Sequence, residues 1–264
     1  MVIETDLLLT IVFFFTVAMF YSSAGFGGGS SYLAILALFG FGQLIMRSTA
    51  LSCNIAVVAL SVVRFNKSDL LPSRKAGIIS LCSVPFALWA TQFHLEENYF
   101  FVLLALVLVL SAIGMFVSPK IKEKEVRGFR DRSTLIPIVF GMLIGFLSGL
   151  VGIGGGIFLA PILYFFNYEE PKKIAAITSF FILVNSVAGI LGLAQSGQLV
   201  VDSQVLILLL LAVLVGGYLG SRAITHFLKP LLVKKITAFL ILLVAIRLLW
   251  KYLPQVFEHF EIMN

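Results

Sequence analysis

Gly25-Phe26-Gly27-Gly28-Gly29-Ser30-Ser31 and Gly152-Ile153-Gly154-Gly155-Gly156-Ile157 decide how this chain folds, because each interrupts an apolar block too long for one membrane crossing. A glycine inside a helix costs roughly 1 kcal/mol relative to alanine. Three in succession also free the backbone to take positive φ. The spacing therefore predicts a helix break at both places, within the blocks 7–40 and 135–166. After each break only about 10 to 12 apolar residues follow, a helix of roughly 15 to 18 Å. That is half of a bilayer core about 30 Å thick.

The surrounding sequence reads as an all-α polytopic membrane protein. Of the 264 residues, 60% are hydrophobic and 12% charged, against roughly a quarter charged in soluble domains. Mean hydropathy is +1.07. Plain spans are expected at 48–65, 72–92, 98–118, 174–194, 204–222 and 231–250. The apolar run from Leu7 follows Glu4 and Asp6, and the first basic residue is Arg47, so that run reads as mature protein rather than a signal peptide.

The glycine cores superpose at an offset of 127 residues (25 to 152), which also carries Ser52 onto Ser179 and Ile35 onto Ile162. The chain thus reads as two homologous repeats, each a broken hairpin plus three spans. Residues 1–118 form the first, 119–133 a basic cytoplasmic linker, and 134–264 the second. Basic residues mark cytoplasmic loops. Lys120, Lys122, Lys124, Arg127, Arg130 and Arg132 place the linker inside, and Arg222, Lys229, Lys234 and Lys235 place the loop 222–235 inside. His94, Glu96, Glu97 and Asp202 mark outer loops. This pattern fits hairpins of opposite orientation, an inverted repeat, better than the competing parallel arrangement.

Helix starts leave N–H groups unpaired and carry partial positive charge, so two breaks brought together make an anion site without charged side chains. Candidate substrate-binding residues are Gly27, Gly28, Gly29, Ser30 and Ser31 at the first break and Gly154, Gly155 and Gly156 at the second. Polar residues of the following spans join them: Thr49, Ser52 and Asn54, then Thr178, Ser179 and Asn185. Such hydroxyls and amides also stitch membrane helices together. Arg47, Arg64, Arg222 and Arg247 sit near span ends, where snorkelling to the interface is usual. Arg47 has the best claim to attract anions, because Thr49 and Ser52 follow it. Glycines 141, 145 and 149, and likewise 216 and 220, recur every fourth residue and read as close-packing faces.

Other chemistries find little footing. No carboxylate lies well inside a span, which argues against a proton relay. His94, His226 and His259 are scattered, and Cys53 and Cys82 show no ligand spacing. No metal, no cofactor and no enzyme activity is therefore expected. The net charge of +6 reports topology rather than nucleic acid. The expected partners are the lipid bilayer and a small anion, and association into a homo-oligomer is left open.

The two GxGGG cores, Pro161 after the second, Ala175-Ala176-Ile177-Thr178-Ser179 and the central basic loop resemble the TauE/SafE sulfite exporter family of bacterial permeases. The first half departs from that pattern: it lacks a counterpart of Pro161, and it has Ser48-Thr49-Ala50-Leu51-Ser52 in place of the Ala/Thr/Ser pattern. The resemblance implies a multi-pass protein of the bacterial inner membrane that transports sulfite or organosulfonates, mostly outward. A passive anion channel and a non-transporting membrane scaffold are the alternative readings.

Overall fold

The computed structural model describes residues 2–23, 26–117, 135–166, 168–223 and 230–263; the linker 119–133, Gly25 and the loop 224–229 lie outside them. Every regular element among the described residues is helical, as the long apolar runs require. Ten helices follow one another: α1 Val2–Ser23, α2 Gly29–Leu38, α3 Gln43–Lys67, α4 Ser73–Ala90, α5 Glu97–Val117, α6 Leu135–Val151, α7 Gly156–Phe165, α8 Pro171–Gln195, α9 Ser203–Ala223 and α10 Pro230–Met263. Among the described residues, four are long and apolar enough to cross a membrane: Gln43–Lys67, Glu97–Gly114, Lys172–Gln195 and Ser203–Gly220. α4, at 18 residues, is about 27 Å long, slightly short of the bilayer core. α10 continues well past the expected end at 250, for Pro254 is accommodated within it.

α1 and α2 lie antiparallel. Phe14 stacks on Tyr32 with centroids 4.5 Å apart, Phe13 lies 6.3 Å from Phe39, and Ser31 Oγ donates to Tyr21 Oη at 3.0 Å. α6 and α7 do the same, with Phe140 6.2 Å from Phe166. The half-length helices α2 and α7 are kept from lipid by the protein around them. Leu33 and Leu36 pack in one apolar cluster with Met46, Phe100 and Leu104, whereas Leu159 and Leu163 pack in another with Ile79, Ile144 and Phe181. Outward-facing apolar side chains such as Leu81, Leu110, Leu143, Leu211 and Trp250 are left for lipid.

Glycine faces set the tightest helix contacts. Gly216 meets the Phe15 carbonyl and Gly220 the Met19 carbonyl, so α9 runs parallel to α1, and Ser22 Oγ donates across to the Gly217 carbonyl at 2.9 Å. In the same way Gly141 meets Ile79, Gly145 meets Ser83 and Gly149 meets the Ala87 carbonyl, so α6 runs parallel to α4. The central pair, α3 and α8, runs antiparallel: Leu51 lies against Gly189, and Arg47, earlier on α3, reaches Gln198 beyond the end of α8. Replacing each helix by the one five places along carries the main packing pairs onto one another. α1 on α9 becomes α6 on α4, α3 on α9 becomes α8 on α4, and α2 on α3 becomes α7 on α8; α3 on α8 and α5 on α10 map onto themselves.

The glycine faces make a paired prediction. A Cβ at Gly149 would overlap the Ala87 carbonyl, whereas one at Gly77 meets nothing within 4 Å. Gly149→Ala should destabilise the protein by about 1–3 kcal/mol. Gly77→Ala should be neutral or stabilise it by up to about 1 kcal/mol. Thermal unfolding in detergent distinguishes the two; equal effects would contradict the packing described.

Candidate substrate site between two helix starts

α2 and α7 begin beside each other in the middle of the bundle. Gly28 caps α2 with φ 102°, and no side chain caps that helix start. Ahead of α7, Gly152, Gly154 and Gly155 take φ of 83°, 81° and 77°, values that side chains other than glycine rarely allow. The two segments touch backbone to backbone, since a Cβ at Gly29 would overlap the Ile153 carbonyl. Asn54 of α3 bridges them by donating Nδ2 to the Ile153 oxygen at 2.9 Å. From this meeting point α2 and α7 run away in opposite directions, so their N-terminal ends converge.

Buried polar groups without a hydrogen-bond partner surround this point. They include Asn54 Oδ1, Tyr32 Oη, Ser148 Oγ, Thr178 Oγ1 and Ser186 Oγ. A Cβ at Gly154 would come 2.8 Å from Ser186 Oγ, one at Gly156 3.1 Å from Thr178 Cγ2, one at Gly155 3.5 Å from Ser148 Cβ, and one at Gly28 3.2 Å from Tyr32 Oη. Buried polar groups are normally satisfied, and each exception asks for a cause. A small acceptor seated between the helix starts could take bonds from these hydroxyls and from the free N–H groups.

The residues singled out from sequence divide into two groups. Gly27, Gly28, Gly29, Asn54, Gly154, Gly155, Gly156 and Thr178 gather at the meeting point. Ser30, Ser31 and Thr49 are buried on α2 and α3, with Ser31 committed to Tyr21. Ser52 and Ser179 donate back to their own helices, to the Ser48 and Ala175 carbonyls at 2.8 and 2.9 Å. Asn185 pairs with Ser83 of α4, donating Nδ2 to its Oγ at 2.8 Å, so it joins α8 to α4 rather than facing the hairpin.

Arg47 does not snorkel. It is 2% exposed. Its Nη2 donates to the Gly149 carbonyl at 2.9 Å and its Nη1 to Gln198 Oε1 at 3.0 Å, while Gln198 Nε2 donates to the Thr91 carbonyl at 2.8 Å. The guanidinium thus caps the C-terminal end of α6, where carbonyls lack helical partners and the dipole favours a cation. Sequence reasoning missed Tyr32, Ser148 and Ser186. The spacing Thr178, Ile182, Ser186 places all three on one face of α8, a signal that would have found Ser186.

At the far end of the second hairpin, Lys75 of α4 reaches Glu169 at 2.6 Å and lies 5.0 Å from the Tyr168 ring centroid. Burial first, and then the Glu169 charge, hold the Tyr168 phenol above its ordinary value. This partly exposed pairing fastens the turn after α7 to α4 but adds little stability.

An all-helical bundle with an outer apolar surface, two half-length buried helices and a polar centre defines a membrane transport protein. Residues 9–248 match the sulfite exporter TauE/SafE family, and the chain belongs to that family. It is 32% identical over 248 residues to a probable membrane transporter protein, y4hK, of Sinorhizobium fredii, covering 94% of this chain and all of the relative. A probable membrane transporter of Methanocaldococcus jannaschii is 29% identical over 194 residues, 69% of this chain and 70% of the relative. The probable membrane transporter protein YunE of Bacillus subtilis is 25% identical over 223 residues, 80% of each chain. No solved structure matches the chain.

Asn54→Ala would leave the Ile153 carbonyl buried and unpaired, so it should lower stability by about 1–3 kcal/mol, measured by thermal unfolding in detergent. An unchanged midpoint would show that the bridge contributes nothing.

Proposed function

We propose that this protein is a secondary carrier exporting small sulfur-containing anions, sulfite or organosulfonates, across the bacterial inner membrane. The observation that carries this reading is the convergence of two helix starts amid unpartnered buried hydroxyls. Family membership favours the substrate class. The anion would lie between Gly27–Ser31 and Gly154–Gly156, with Asn54, Ser148, Thr178 and Ser186 beside it. Thr49 is a candidate for a lesser contact. Ser52, Ser179 and Asn185 support the walls, and Arg47 draws anions toward the second helix start.

The two halves, 1–118 and 134–264 joined by 119–133, are read as an inverted repeat. The exchange of packing partners between the halves supports duplication. Inversion is supported by direction: α1 and α9 run parallel, as do α4 and α6, while α3 and α8 run antiparallel. Each half then offers one hairpin tip from its own side of the membrane, and rocking one half against the other would expose the centre alternately.

Proteoliposomes loaded with labelled sulfite test this. Flux should saturate with concentration, be accelerated by unlabelled anion on the opposite side, and fall at least about tenfold in Gly155→Leu, whose side chain would enter space held by Ile144 and Phe181. Non-saturating flux without trans-stimulation would indicate a channel, and unaltered flux in the variant would exclude this site.

A further inference from the structure

We infer that Arg47 and Gln198 form the gate on the non-cytoplasmic side of the proposed site, a reversible tie between the two halves that breaks when the site opens outward. The inference rests on the carrier reading above and adds to it the residues that control access from one side.

Arg47 is the only charged side chain buried among the described residues, and Gln198 is 4% exposed. Between them they make three bonds that cross from one half of the chain to the other. Arg47 Nη2 donates to the Gly149 carbonyl at 2.9 Å, Arg47 Nη1 to Gln198 Oε1 at 3.0 Å, and Gln198 Nε2 to the Thr91 carbonyl at 2.8 Å. Residues 47 and 91 belong to the first half, 149 and 198 to the second. The start of α3 and the end of α4 are thus tied to the end of α6 and the segment after α8. Moving one half away from the other on this side requires all three bonds to break.

Arg47 precedes Asn54 on α3 by a rise of roughly 10 Å, so the network lies between the helix starts and one end of the bundle. The loops at that end carry His94, Glu96, Glu97 and Asp202. The opposite ends of α3, α4 and α8 carry Arg64, Lys67, Arg74, Lys75, Lys172 and Lys173. Basic residues mark the cytoplasmic side, so the Arg47 end faces away from it.

The duplication sets the two sides apart. The offset of 127 residues (52 to 179) carries Arg47 onto Ile174 and Leu71 onto Gln198. Ile174, 1% exposed, and Leu71 pack in one apolar cluster with Ile79 and Ile177. The equivalent positions on the cytoplasmic side therefore close by apolar contact. Lys75 and Glu169 also join the halves there, but that pair is partly exposed and holds little. Burying a guanidinium against neutral oxygens costs more than apolar packing would, and Arg47 Nε keeps no partner. The polar version gains reversibility in return. When this side opens, water can replace each lost bond, whereas separated apolar side chains find no such compensation in water.

Side-specific labelling of the full chain in membrane vesicles tests this. The reporter is Ser186→Cys, with Cys53→Ala and Cys82→Ala, and the probe is a charged, membrane-impermeant thiol reagent added to right-side-out or inside-out vesicles. Gln198→Leu should speed labelling from the non-cytoplasmic side at least about tenfold and leave labelling from the cytoplasmic side unchanged or slower. Gln198→Glu gives Arg47 a charged partner. It should slow both non-cytoplasmic labelling and sulfite flux in proteoliposomes by a similar factor, while the thermal midpoint holds or rises. A merely structural tie would change labelling equally from both sides in Gln198→Leu and leave flux intact in Gln198→Glu; either result overturns the gate. Sided labelling in a protein that moves no sulfite would keep the gate and sink the sulfite reading. Sulfite flux with labelling indifferent to both substitutions would do the reverse.

Discussion

Everything central to this bundle depends on one backbone approach, Gly29 against the Ile153 carbonyl, which a single Cβ would forbid. It lets two helices start side by side in the middle of the protein instead of at its surface. The approach has consequences for hydrogen bonding as well as for shape. Backbone that leaves a helix at membrane depth needs partners from the protein. Asn54 meets part of that need by reaching from α3 to the opposite segment. Several buried hydroxyls around it keep no partner within the protein, and the proposed site is the chemical expression of this incomplete satisfaction.

The packing around that point depends on the same absence of side chains. α6 lies on α4 through Gly141, Gly145 and Gly149, and α1 lies on α9 through Gly216 and Gly220. In a lipid environment such contacts draw on close van der Waals approach, since apolar side chains gain little by leaving lipid for protein. Each hairpin is thereby fastened along its full-length arm to a helix of the other half. The short arms α2 and α7 are held instead by apolar clusters and by the central helices. If the halves rock, the helix starts would move with arms that are anchored elsewhere. Arg47 adds a polar tie of a different kind, joining the end of α6 to α3 and, through Gln198, to the segment after α8.

What could be read in the sequence, and what could not, follows from the range of the interactions. The helical class follows from long apolar runs, and the helix-packing faces from glycines every fourth residue, because both are local patterns. Three successive glycines are equally local, and the structure starts α2 at Gly29 and α7 at Gly156. Side-chain destinations depend on neighbours distant in the chain. Arg47 looks like an interfacial residue until Gly149 and Gln198 are brought to it. Asn185 looks like a companion of Thr178 until Ser83 claims it. Tyr32 reads as one more aromatic of an apolar helix, and only its place beside Gly28 makes its hydroxyl chemically interesting.

The central claim is that an anion rests between the two helix starts. A structure determined with sulfite present tests it most directly. The account predicts ordered density within hydrogen-bond reach of the Gly154–Gly156 N–H groups and of the Ser148 or Ser186 hydroxyl, with Asn54 alongside. Density confined to the outer surface of the protein, or a centre that stays empty at saturating sulfite, would contradict it.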